Sequence, residues 1–178
     1  MRELDDDSGQ VQAAAHDATR RFSAKVDLCR RALSSGDALR LRVSGTSMLP
    51  ALWPGESVVV TPASIEDLQT GEVVVFACHH QRFVVHRVVG RATAARGAAL
   101  LTRGDAKLFD DLPVQAGALL GRVSAVHRFG ADRPMGRRLR PVARCLAWIV
   151  RRSTLAHAIL RRGSAVLVRW PRQGDPQW

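Results

Sequence analysis

Between residues 11 and 33, Val11, Ala15, Ala18, Phe22, Val26, Cys29 and Leu33 recur at steps of three and four. This is the period of one helical face, so the spacing predicts an amphipathic helix that stops at Ser34-Ser35-Gly36. From residue 38 the period shortens to two. In "ALRLRVSG", Leu39, Leu41 and Val43 alternate with Arg40 and Arg42, the signature of a half-buried strand. Strand-like runs follow at "SVVVT", "EVVVFAC", "RFVVHRVVG", "AALLTR" and "ALLGRVSAVHRF", and the short link "HHQ" predicts a hairpin. Residues 91–99, "RATAARGAA", read as a flexible loop. The expected architecture is a mainly β, antiparallel domain over 37–130, preceded by a helical segment, 1–36, and followed by an Arg-rich tail, 131–178.

Charge separates that tail from the body. The chain of 178 residues carries a net charge of +11, and Lys25 and Lys107 are its only lysines. From Arg133 to Arg172 the basic residues are all arginine and no acid interrupts them, so the body is near neutral. In "RRLRPVARCLAWIVRR" the side chains of Arg137, Arg140, Arg144, Arg151 and Arg152 share one helical arc, with Val142, Leu146, Ile149 and Val150 opposite. Pro141 fits only a first turn, which predicts an amphipathic helix starting near Leu139 or Arg140. Such a helix suits peripheral contact with an anionic membrane. Nucleic acid is disfavoured as a partner, because no helix-turn-helix or base-reading element is recognisable.

Cys29, Cys78 and Cys145 show neither disulfide nor zinc spacing, and His79-His80 beside Cys78 lack further ligands, so no metal site is indicated. The acidic start "MRELDDDSGQ" is unlike a signal peptide, and no run approaches the ~18 apolar residues of a membrane span. The expectation is a cytoplasmic protein, peripheral at the inner face of the membrane where the tail engages it.

Candidate chemistry begins at "SGTSMLPALWPGESVVV", residues 44–60, where a small hydroxyl residue sits between Gly45 and Pro50. Alone, this is as consistent with a turn as with a nucleophile. It is followed in order by "TGEVVVFA", "FVVHRVVGR", "LTRGDAKLFDD" and "LLGRV". Together these blocks resemble the S24/S26 serine peptidase superfamily, specifically the type I signal peptidases, over roughly the central half of the chain. The resemblance implies that Ser47 is the nucleophile, and that His86, in His86-Arg87-Val88, stands where most bacterial members have a lysine base. This is similar to the histidine-type branch of the family. Asp105 and Asp111 match that branch's two acidic positions, with Asp110 an alternative from the doublet.

A serine hydroxyl is weakly nucleophilic until a positioned base takes its proton, and an imidazole base needs an acid to orient it. Two departures accompany the resemblance. The position two before the nucleophile, often serine in the family, is Gly45, so the oxyanion would rely on the Ser47 N–H with Thr46 or Ser44 assisting; Met48 and Pro50 complete the implied substrate-binding set. The usual N-terminal membrane anchor is replaced by a polar amphipathic helix. The implied function is a serine endopeptidase that needs no cofactor and trims a leader or signal segment from a peptide or protein. The alternatives are a non-catalytic peptide-binding or regulatory module on a degenerate peptidase domain and, less favoured, a self-cleaving repressor-like protein.

Overall fold

The computed structural model describes residues 4–78, 80–94 and 97–137. The segment from residue 138 onward, which holds most of the expected basic tail, lies outside the described residues, as does His79.

The helix α1 spans Leu4–Ser34. It ends in a glycine cap: Gly36 takes φ +85°, its N–H donates to the Leu33 carbonyl, and the Asp37 N–H donates to the Ala32 carbonyl. Among the described side chains of the apolar stripe, burial is confined to the C-terminal half. Val26, Cys29 and Leu33 are buried and Phe22 packs beside them, whereas Ala15 and Ala18 are exposed. Here the helix runs past the sheet it covers, so the regular spacing overstates the contact. Phe22 meets Phe83 at a ring-centroid distance of 5.3 Å.

Eight strands follow: β1 Leu39–Arg42, β2 Ser57–Thr61, β3 Val73–Cys78, β4 Arg82–Ala94, β5 Gly97–Arg103, β6 Val114–Gln115, β7 Leu119–Arg128 and β8 Ala131–Pro134. They form one antiparallel sheet in the order β1-β2-β7-β3-β4-β5-β6, with β8 also on β7. The "HHQ" link does join a hairpin, pairing Cys78 with Arg82. Residues 91–99 are not a loop throughout. Arg91 pairs with Leu100 and Ala92 with Ala99, because small residues that look loop-like in sequence still satisfy a ladder's backbone bonds. The sheet also continues past Gly130, through β8.

Alternation along the strands sorts two cores. Val73 and Val75 join Val58, Val60, Val123 and α1 on one face, whereas Val74 and Phe76 join Ile65, Leu68, Val88 and Leu100 on the other. The strand β7 knits the sheet together: Arg122 pairs with both Thr61 and Val74, so β2 and β3 lie on its two edges. That leaves β1 at the end of the sheet, with one edge unpaired by any described strand. Among the described residues, no helix is long and apolar enough to cross a membrane.

The β2–β7 approach sets a first prediction. A Cβ at Gly121 would lie 2.4 Å from the Thr61 carbonyl oxygen, while one at Gly117 would meet nothing within 4 Å. Gly121→Ala should therefore lower stability by about 1–3 kcal/mol through forced backbone displacement. Gly117→Ala should stay within about 0.5 kcal/mol of the native chain. Urea unfolding midpoints of the two variants measure the contrast.

Candidate active site

Ser47 belongs to a loop tied at its base, where the Val43 N–H donates to the Glu56 carbonyl (2.8 Å) and the Gly55 N–H to the Val43 carbonyl (2.6 Å). The apolar residues of "SMLPAL" anchor this loop: Met48, Leu49 and Leu52 are essentially inaccessible. Their burial leaves the polar stretch Ser44–Ser47 at the surface. The carbonyls of Thr46, Ser47 and Met48 accept from the N–H groups of Leu49, Ala106 and Leu52, and none of these bonds uses the Ser47 N–H.

His86 lies on β4 opposite Val74 and is 1% exposed. As its strand parity predicts, it shares the face of Val84 and Val88. Phe76 meets its ring edge-on at 6.1 Å. Both ring nitrogens are engaged: Nε2 lies 2.9 Å from Ser47 Oγ, and Nδ1 is hydrogen-bonded to Asp111 Oδ2. An ionised carboxylate only accepts, so in the neutral ring Nδ1 carries the proton. The Nε2 lone pair then faces the serine hydroxyl, the arrangement a general base requires.

The Asp111 carboxylate is held from several sides. The Thr102 hydroxyl donates to Oδ2 at 2.9 Å and Lys107 Nζ to Oδ1 at 3.3 Å, while the Asp111 N–H donates to the Thr102 carbonyl at 2.8 Å. Burial pushes its carboxyl up, but the hydrogen bond and charge of His86, the Thr102 hydroxyl and Lys107 outweigh this and hold it below its ordinary value.

Asp105 sits elsewhere. It receives two hydrogen bonds from Arg87, at 2.9 and 2.8 Å, and the same guanidinium donates to the carbonyls of Gly71, Gly136 and Arg137. The two acidic candidates that sequence could not rank thus separate by geometry: Asp111 touches the imidazole, while Asp105 anchors the turn beside it. Asp110 pairs with Arg103 at 3.1 Å.

A cleft of about 740 Å³ opens over these groups. Ser44, Thr46, Ser47, Met48, His86 and Asp111 line it, whereas Pro50, half-buried at the far side of the turn, is not part of its lining. Among the described residues, no group of three or more His, Cys, Asp or Glu side chains is placed to hold a metal ion.

Gly104 is a member of the site that sequence signals only as a turn residue. A Cβ there would fall 2.6 Å from the Ser47 carbonyl oxygen and 3.0 Å from His86 Nε2. The absence of a side chain is what lets the 104–111 segment close over the serine and imidazole. Thr102 and Lys107 were also hidden, although Lys107 precedes Asp111 by one helical-turn spacing. Compared with known protein families, the chain matches no family model, and no curated protein is significantly similar to it.

Two outcomes follow from this geometry. Gly104→Ala should separate Ser47 from His86 and abolish reaction of Ser47 with a serine-acylating probe, as read by mass mapping of the labelled residue. Asp111 has a lowered folded value, so its contribution to stability is present above the ordinary 3.8 and is lost as pH falls through the lower folded value. The stability difference between the native chain and Asp111→Asn should accordingly shrink on acidification through that window, as measured by urea unfolding at stepped pH.

Proposed function

We propose that the protein is a serine endopeptidase of the signal-peptidase type, removing a leader or signal segment from a peptide or protein. The observation that carries this reading is the hydrogen-bonded series Ser47–His86–Asp111, drawn from three separate segments and bordering a cleft. In the reaction, His86 Nε2 takes the Ser47 proton as Oγ attacks the substrate carbonyl. The Asp111 carboxylate stabilises the imidazolium that forms, and the imidazolium then protonates the leaving amine. The Ser47 N–H is the first donor for the oxyanion, with the hydroxyls of Thr46 and Ser44 beside it. Water then hydrolyses the acyl-enzyme by the same proton path in reverse. The edge of β1 that no described strand pairs runs directly into the Ser44–Ser47 turn, which suits an extended substrate held by strand-like backbone bonds.

The test separates chemistry from architecture. Ser47→Ala and His86→Ala should each reduce peptide cleavage by about 10⁴-fold or more, and the double variant should lose little further. Asp111→Asn should lower kcat by about a hundredfold or more while leaving the fold intact. Asp105→Asn should instead destabilise by about 3–5 kcal/mol, because it strands the buried Arg87. Undiminished turnover by Ser47→Ala would sink the reading.

A further inference from the structure

The charge lining the cleft is one-sided. Arg42, Arg82 and Lys107 border it, and among the described residues Asp111 is the only acid in its lining, already engaged by His86, Thr102 and Lys107. Several arginines elsewhere are neutralised: Arg40, Arg87, Arg103, Arg122, Arg128 and Arg137 are each matched to a carboxylate. Among the described residues, the Arg42 and Arg82 side chains have no such match. Their register neighbours, Ser57 and Cys78, offer no acid either. The two arginines stand on different walls of the cleft, Arg42 at the end of β1 and Arg82 at the start of β4.

We infer that this cleft selects peptide segments bearing an acidic side chain a few residues from the cut, with Arg82 and Arg42 as its specificity-determining contacts. The inference rests on the peptidase reading for the word "cut", but the preference itself is a property of the cleft. Arg82 and His86 lie four residues apart on one strand, about 13 Å. A substrate extended alongside advances at the same rise, so its acid falls about three to five residues from the bond presented to Ser47. A guanidinium recognises a carboxylate through paired N–H donors, and a cleft wall strengthens this relative to open solvent.

The experiment uses the full chain and fluorogenic sixteen-residue peptides with an Ala-x-Ala centre. A single Glu is moved through the five positions on either side, with a matched Gln set. Glu at one or two positions near the fourth should raise kcat/KM by about three- to tenfold over Gln, the range of a partly exposed charge-assisted contact. The gain should vanish in Arg82→Gln or Arg42→Gln, both exposed positions, and should fade in high salt. In Arg82→Glu, a Lys peptide should become the favoured one. Fluorescence anisotropy with Ser47→Ala reads binding without turnover. An Arg-dependent Glu preference in binding, with no cleavage by the native chain, would support the cleft's selectivity and remove the peptidase reading. Equal cleavage of Glu and Gln peptides at every position would overturn the inference and leave the peptidase reading standing. A preference that persists in both Gln variants would overturn the assignment to these arginines. Displacement of the Glu peptide by phosphatidylserine vesicles, lost in Arg82→Gln, would overturn it too by assigning the arginines to a lipid surface.

Discussion

An imidazole that is 1% exposed presents two ring nitrogens that water barely reaches, and each unsatisfied one would carry a desolvation cost of about 1–3 kcal/mol. In this protein both are satisfied by side chains from distant segments, Ser47 from the loop after β1 and Asp111 from the segment after β5. The arrangement of the sheet follows from that demand as much as from its cores. The antiparallel β4–β5 pairing places Thr102 beside Val88, so the chain leaving β5 turns back over His86. The Ser47 loop is plugged into the opposite side by Met48, Leu49 and Leu52. Neither segment holds the imidazole by itself.

Two devices hold the segments in register. The first is the Gly104 approach, which admits the backbone of one segment against that of the other and is completed by the Ala106–Ser47 hydrogen bond. The second is the buried Arg87–Asp105 pair. Such a pair contributes little net stability over an apolar substitute, since desolvation offsets its attraction. Its value here is geometric: one planar guanidinium fixes Asp105, Gly71 and the Gly136–Arg137 backbone at once, one residue along β4 from the imidazole. Arg137 in turn reaches Gln69 and the buried Glu72. The root of the basic C-terminal segment is thus attached to the same clamp that steadies the candidate active site.

Much of the β architecture was legible in the sequence because it depends on local alternation. Leu39 and Leu41, Val58 and Val60, and the parity of His86 with Val84 and Val88 all follow a two-residue period that survives without tertiary information. What escaped depended on partners remote in the chain. Ala92 and Ala99 have no strand-like character of their own and become a ladder only because β4 and β5 meet. Ala15 and Ala18 obey the helical period, yet remain exposed, since among the described residues the packed core reaches the helix only from Phe22 onward. The ranking of Asp105 against Asp111 was equally beyond one-dimensional reading, since both follow β5 and only the turn decides which carboxylate comes back to the imidazole.

The same logic explains why the cleft's positive lining is informative where the overall charge is not. A net charge of +11 is dominated by arginines after residue 132 and says nothing about the body. Within the sheet domain, Arg40, Arg87, Arg103, Arg122 and Arg128 find carboxylates, as expected where acids are plentiful enough to neutralise a surface at small energetic gain. Against that background of matched pairs, Arg42 and Arg82 stand out by location: both border the cavity that holds Ser47. A site built only to exclude water around a serine and an imidazole has no use for two more cations. Their field lowers the cost of bringing an anion into the cleft.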